Sequence, residues 1–295
     1  MLRQSLWALA AAALFSLMAA FVKLCADHFG TFELVFYRSL FGVMSIAFFV
    51  WSRRDHLSLK TQHFWGHIKR SVLGTFSVFV WFFTLGQLPL STNITLTYTT
   101  PLFMAANFIL LAFLRHQKAP WVLCLAIVGG FMGVVVTLQP SFGANTLQPS
   151  LICLFVAFID LIVYWQIKEL GDFQEPSWRI VFYFTLCGTL SGAVGSFCTG
   201  GFHAISLETG GYLLGIAATA TLAQLCTTRS YASGNMLLSS CLGFSAIPFS
   251  AFFSWIFFGD AITWDMAAGM TLIIISGCLA TIAVKRQENA EKTTG

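Results

Sequence analysis

The sequence predicts an all-α membrane protein: ten transmembrane helices in two five-helix repeats, inverted relative to each other in the bilayer. Three observations predict it. Composition is the first, since 57% of the 295 residues are apolar and 9% are charged, against roughly 45–50% and 25% in soluble domains. The second is the division of the apolar residues into ten helix-length runs, and the third is that lysine and arginine fall only on alternate connections between them. So apolar a chain is neither disordered, nor collagen-like, nor a soluble enzyme, and its formal net charge of +4 gives no reason to expect a nucleic-acid partner.

A hydrocarbon layer about 30 Å thick takes about 20 helical residues, and every backbone group inside it must be paired within the helix. Runs of that kind cover 5–26, 32–51, 71–88, 91–114, 120–138, 149–167, 177–198, 210–228, 236–258 and 264–284. The first follows Arg3 as a signal peptide would, but it is long, contains Lys23 and precedes nine more runs, so it reads as a span. Ahead of the third lies the one long connection, 52–69, which mixes Arg53, Arg54 and Lys60 with Leu57, Leu59, Phe64, Trp65 and Ile68 and reads as a segment lying on anionic headgroups. His63 and His67 stand one helical turn apart there, with nothing nearby to complete a metal site. The fourth run is the polar one, with Asn93, Thr97, Tyr98 and Thr100 ahead of Pro101, a residue expected to loosen the helix and free a carbonyl. Gly129, Gly130 and Gly133 give the fifth a close-approach face that Ser276-Gly277 repeats in the tenth, so these helices are expected to pack tightly or to form a homodimer contact. The sixth carries Asp160, the seventh resembles the second, and the eighth and ninth bring Gln224, Ser240 and Ser245. All eight cysteines lie in or at the ends of runs with no CxxC pair, as packing residues do.

Orientation follows from the basic residues. With the N-terminus in the cytoplasm, the inner segments hold Arg3; Arg53, Arg54, Lys60, Lys69 and Arg70; Arg115 and Lys118; Lys168 and Arg179; Arg229; and Lys285, Arg286 and Lys292. Counting Arg179, at the inner end of the seventh run, these are fourteen of the sixteen; the other two, Lys23 and Arg38, fall deeper inside runs, and the outer connections hold none. Short cytoplasmic loops collect positive charge, so both termini are expected inside the cell.

A repeat is visible across the midpoint. VFYRSLFG at 35–42 matches VFYFTLCG at 181–188 with five identities in eight at an offset of 146, followed by Leu73-Gly74 with Leu214-Gly215, Asn93 with Asn235 and Trp121 with Trp264 at offsets of 141 to 143. The expected division is a first repeat over 1–140, a second over 141–288 and a tail over 289–295. Because five is odd, the second repeat starts on the opposite face of the membrane, which is the geometry of alternating access.

Taken together these residues resemble the drug/metabolite transporter superfamily, in particular its EamA-type ten-helix members. The resemblance rests on Phe36-Tyr37-Arg38-Ser39; on Leu88-Pro89-Leu90-Ser91-Thr92 leading to Thr97-Tyr98-Thr99-Thr100-Pro101-Leu102; on Ala223-Gln224 and Thr228-Arg229; and on Ala246-Ile247-Pro248 with Phe258-Gly259-Asp260. Where the family usually has Gly-Glu after the fourth and ninth helices, this chain has Leu114-Arg115-His116 and Gly259-Asp260, so no role of those glutamates carries over to the first half. The resemblance implies a multi-pass carrier of small metabolites, amino acids or drugs in a bacterial inner membrane, without a cofactor.

Ionisable groups at bilayer depth are costly and mark function or pairing. Lys23 lies within reach of the outer headgroups; Arg38 is expected either to pair with Asp160 or helix-end carbonyls or to serve a cavity; Asp160 is expected to be a proton carrier, a counter-ion for substrate, or a static partner of the two cations. A cavity for a small-molecule substrate is expected to draw on Asp160, Arg38, Tyr98, Asn93, Thr97, Pro101, Trp81, Tyr164, Trp165, Gln224, Ser240 and Ser245, with hydrogen bonds from the polar groups and stacking from the rings. A membrane-embedded enzyme would need a nucleophile and base at depth, whereas all six histidines (His28, His56, His63, His67, His116, His203) lie in loops or at run edges and no P-loop or HExxH occurs. The expected function is a secondary carrier of an amino acid or related amphipathic compound, in the export direction; uptake of a cationic or nucleoside-like cofactor precursor is the alternative.

Overall fold

A computed structural model describes residues 2–53, 57–114, 121–138 and 146–294. Arg54, His56, Arg115, His116, Lys118, the boundary expected at 140/141, and the side chains of Lys285 and Lys292 lie outside the described residues. The described residues form helices and connections without a strand: α1 (Leu2–Ser5), α2 (Trp7–Cys25), α3 (Thr31–Ser52), α4 (Phe64–Leu85), α5 (Leu90–Thr97), α6 (Thr100–Leu114), α7 (Trp121–Leu138), α8 (Leu147–Asp172), α9 (Ser177–Cys198), α10 (Leu207–Ser233), α11 (Met236–Gly243), α12 (Ala246–Phe258) and α13 (Trp264–Thr294).

Five helical stretches are long and apolar enough to cross a membrane, Arg3–Cys25, Thr31–Ser52, Phe64–Leu85, Leu147–Asp172 and Ser177–Cys198, with mean hydropathies of 1.3 to 2.1. Large apolar side chains stand outward on them, such as Phe48, Trp65, Phe155 and Phe197, which suits lipid and not water as the surrounding medium. α10 spans 27 residues yet is not among the five, because its buried face is rich in Thr, Ser and Gln. Two of its threonines bond to their own helix, Thr219 to the Gly215 carbonyl and Thr221 to that of Ala217.

Two expected runs are each broken. The fourth divides into α5 and α6 around Tyr98-Thr99 and the ninth into α11 and α12 around Phe244-Ser245. Pro101 is the second residue of α6, where proline's missing N–H costs nothing, so it opens a helix and does not loosen the middle of one. Both ends of α11 lie 146 residues after those of α5, and both ends of α9 lie 146 after those of α3.

The third run needs a larger correction. α4 begins at Phe64, so 64–70 is not a separate surface segment but the first two turns of the helix. His67, Arg70, Gly74, Ser77 and Trp81 line its buried side, while Trp65, Val72, Phe76 and Phe83 face outward. The helix is polar within and apolar without, the reverse of a soluble amphipathic helix, and a search for apolar continuity therefore starts it too late.

Packing couples helices across the sequence: α2 lies on α10, α3 on α9, α4 on α8 and α7 on α13. The α3–α9 contact is reciprocal, for a Cβ on Gly42 would stand 2.7 Å from Thr185 Cγ2 and one on Gly188 would stand 2.5 Å from Ser39 Oγ. Between α7 and α13, Gly129 faces Ser276 and Gly133 faces the Gly269 carbonyl and Ile273, so the chain's own α13 occupies that glycine face.

Candidate functional site

One cavity lies where the broken helices meet α4, α8 and α10. The empty space there amounts to about 750 Å³ when the part open to solvent is included. Of the residues expected from sequence, Asp160, Tyr98, Thr97, Pro101, Trp81, Tyr164, Gln224 and Ser240 line it. Thr100, one of the polar groups of the fourth run, lines it too, whereas Arg70, Ser77, Phe184, Thr227 and Tyr231 were not foreseen.

Asp160 sits on α8 and accepts a hydrogen bond from Ser77 Oγ at 2.6 Å. On the same wall Tyr164 stacks face to face on Tyr231, centroids 4.1 Å apart and planes 6° from parallel. Arg70 is 2% exposed, and its guanidinium carbon lies 4.1 Å from the centre of the Phe184 ring. Its Nε and Nη1 have no hydrogen-bond partner, and neither does Thr97 Oγ1. Thr100 Oγ1 donates to the Ala157 carbonyl at 3.0 Å, which ties the start of α6 to α8. The other break is tied likewise: Ser16 on α2 donates to the Ala246 carbonyl at 3.1 Å.

Four expected residues stand off the cavity wall. Asn93 lies behind Trp81, accepting from its indole Nε1 at 2.8 Å while its own Nδ2 donates to Thr84 Oγ1 and reaches Cys153 Sγ. Arg38, 2% exposed, is screened from the cavity by Phe184, with its guanidinium 5.7 Å from that ring and 5.5 Å from Phe82. It does not pair with Asp160. Ser245 closes a turn by donating to the Leu242 carbonyl, and Trp165 is on the outer face. Lys23 Nζ donates to the Leu88 carbonyl at 2.6 Å and lies over Phe258.

Arg70 was legible in principle. His67, Arg70, Gly74, Ser77 and Trp81 follow a three-and-four spacing that runs from the basic connection into the span. Gln224, Thr227 and Tyr231 repeat that signal on α10.

Polar clasps close the bundle at both ends. At one, Arg179 at the start of α9 donates through Nε and Nη2 to the Ser58 carbonyl and through Nη1 to Glu175, while Tyr183 donates to the Leu59 carbonyl. Glu175 also accepts from Thr61, and His67 Nε2 is 3.4 Å from it. His63 goes elsewhere, stacking on Phe173 at 4.2 Å, so the two histidines do not converge on a metal. Burial works to raise the Glu175 carboxyl, but the Thr61 hydroxyl and the Arg179 guanidinium outweigh it and hold it below the usual glutamate range. At the other end, Glu33 at the start of α3 accepts from the His203 backbone N–H at 2.9 Å and faces its Nδ1 at 2.8 Å. Thus α9 holds the segment after α3, and α3 holds the segment after α9.

A multi-pass helical bundle with a polar cavity at broken helices is the build of a membrane transporter. Over residues 2–139 the chain matches the model of the EamA-like transporter family. It is 25% identical over 273 residues to the pseudopaline exporter CntI of Pseudomonas aeruginosa (strain UCBPP-PA14), covering 92% of this chain and 93% of that one. To a riboflavin transporter of Brucella anthropi it is 26% identical over 243 residues, covering 80% and 82%, and to an S-adenosylmethionine uptake transporter of Rickettsia bellii 27% over 162 residues, covering 55% and 53%. A solved crystal structure superposes with a TM-score of 0.71 over 97% of this chain and 99% of that one, at 18% identity, which speaks to the fold alone.

Proposed function

We propose that the protein is a secondary active transporter that moves a small organic metabolite, an amino acid or a related amphipathic compound, outward across a bacterial inner membrane by alternating access. The observation that carries this reading is the meeting of a buried guanidinium with unpartnered nitrogens, a half-buried carboxylate and a stacked tyrosine pair in one cavity at two helix breaks. Polar groups held ready in an aromatic cavity are what an amphipathic ligand requires. Asp160, Arg70, Tyr98, Thr97, Trp81, Tyr164, Gln224 and Ser240 are the groups assigned to substrate or coupling, with Pro101 fixing the turn beside them. Asn93 holds Trp81.

In this reading ten spans form two inverted halves, 1–140 and 141–288, with both termini cytoplasmic. Support comes from the 146-residue offset shared by α3/α9 and α5/α11 and from the helix pairs. Exchanging the halves turns the α2–α10 contact into the α8–α4 contact and leaves α3–α9 and α7–α13 unchanged, as a two-fold axis would. Releasing the clasp at Arg179 opens the cavity to the cytoplasm and releasing that at Glu33 opens it outward.

Relatives named for riboflavin and S-adenosylmethionine, with the Asp160 carboxylate, favour a second reading, uptake of a cationic or nucleoside-like precursor. Flux into proteoliposomes decides between them. Asp160→Asn is expected to abolish gradient-driven transport and to keep exchange if the residue carries a coupling proton, and to lose binding itself if it is a counter-ion. Normal transport by this variant under every gradient would remove Asp160 from both readings.

A further inference from the structure

Three charged side chains lie deep in the bundle around the cavity: Arg38, Arg70 and Asp160. Their sum is positive, and it is not balanced locally. Among the described residues the buried carboxylates are engaged at the ends, Glu33 by His203 and Glu175 by Arg179 and Thr61. Neither buried guanidinium has a carboxylate within 4.0 Å, and Nε and Nη1 of both have no hydrogen-bond partner at all.

An arginine kept for structure would spend its five donors on helix-end carbonyls. Nε and Nη1 of these two have only rings beside them: Phe184 stands between the guanidiniums, 4.1 Å from Arg70 and 5.7 Å from Arg38, and Phe82 lies 5.5 Å from Arg38. The negative face of an aromatic ring offsets only part of what a desolvated cation loses. A planar fork of free N–H groups in a cavity is the complement of a carboxylate. Two turns further along α4, Ser77 occupies one oxygen of Asp160 and leaves the other for an ammonium or a proton.

Resting on the transporter reading above, we propose that the ligand of this cavity bears more carboxylate than ammonium charge: an amino-acid-like metabolite with one amine and at least two carboxylates. One carboxylate seats on Arg70, the amine faces Asp160, and Arg38 behind Phe184 supplies the field that favours the excess negative charge. Cations such as choline, and uncharged nucleosides, would leave the guanidinium charges uncompensated.

The test uses the full chain, purified in detergent for thermal shift and reconstituted in liposomes for counterflow, with L-glutamate, succinate, L-leucine, choline and uridine as probes. Glutamate is expected to raise the melting temperature most and to exchange fastest, succinate to follow, and choline and uridine to do neither. Arg70→Gln should weaken glutamate binding at least tenfold and Arg70→Lys less; Asp160→Asn should narrow the advantage of glutamate over succinate. Choline or uridine exchanging while the acids stay silent would overturn the charge assignment and leave a transporter standing. Exchange of none of the five would overturn the small-metabolite reading beneath it. A separate readout covers poor folding: ligand-free Arg70→Met should melt no lower than the wild type, because it removes an unpaired buried charge. A clear drop there would show the guanidinium to be structurally bonded and would overturn the proposal.

Discussion

Ser77 donates to Asp160 across 2.6 Å, joining α4 to α8 inside the cavity wall. A half-buried carboxylate held by one hydroxyl is neither fully satisfied nor free, which is the condition a group needs if it is to exchange partners during a cycle. Ser77→Ala is expected to cost about 1–3 kcal/mol at this site, the penalty for stripping such an acceptor of its donor. Exchange measured in liposomes should slow in proportion, and an unchanged rate would mean that the hydroxyl has no part in holding the carboxylate.

Trp81 is expected to lose its place when Asn93 is replaced. Asn93→Ala removes the acceptor of the indole N–H and strands the donor within the bundle, at about 1–3 kcal/mol. A lower melting temperature together with a changed tryptophan emission spectrum is the expected result; a lower melting temperature with an unaltered spectrum would place the damage elsewhere.

The reciprocal contact of α3 and α9 predicts a rescue. Gly188→Ala sets a methyl group 2.5 Å from Ser39 Oγ, an overpacking expected to cost about 1–3 kcal/mol. Ser39→Gly in the same chain should recover most of it, whereas Thr185→Gly, which relieves the Gly42 side, should not. Melting temperatures of the four proteins decide this.

Glu175 gives a pH dependence of definite sign. Its folded carboxyl is held below the ordinary value of 4.5 by Thr61 and Arg179 acting against burial. The clasp is therefore fully stabilising above that ordinary value and loses its contribution as pH falls through the lowered one. The difference in melting temperature between wild type and Glu175→Gln should be constant near neutrality and shrink in acid; a difference that grows in acid would reverse the assignment.

Much of the architecture was legible because lipid imposes simple rules. The five long apolar spans needed only the hydrocarbon thickness, and the match of 35–42 with 181–188 marked the offset that α3 and α9 share. The breaks at Tyr98-Thr99 and Phe244-Ser245 were not legible, since neither contains a proline or glycine that forces a turn at the break itself, and Pro101 lies just past one of them. Arg70 was misassigned for a physical reason: Lys69 and Arg70 are adjacent basic residues at a helix start, yet a helical turn of 100° sends one outward and the other inward. The buried roles of Asn93 and Arg38 depend on side chains 12 and 146 residues away, Trp81 and Phe184, and no local pattern reports them.

α10 lacks the apolarity of the five long spans, and its Thr-rich face is tolerable only because α2, α3 and α8 surround it. Each of those helices precedes it in the chain, so during synthesis a prepared berth awaits it in the bilayer. The order of the genetic text thus doubles as an assembly schedule: the helix least able to enter lipid alone emerges after its hosts. A nascent chain lacking residues 1–53 would deliver α10 to a membrane without two of those hosts, and its exposure to protease from either side would report how far insertion depends on company.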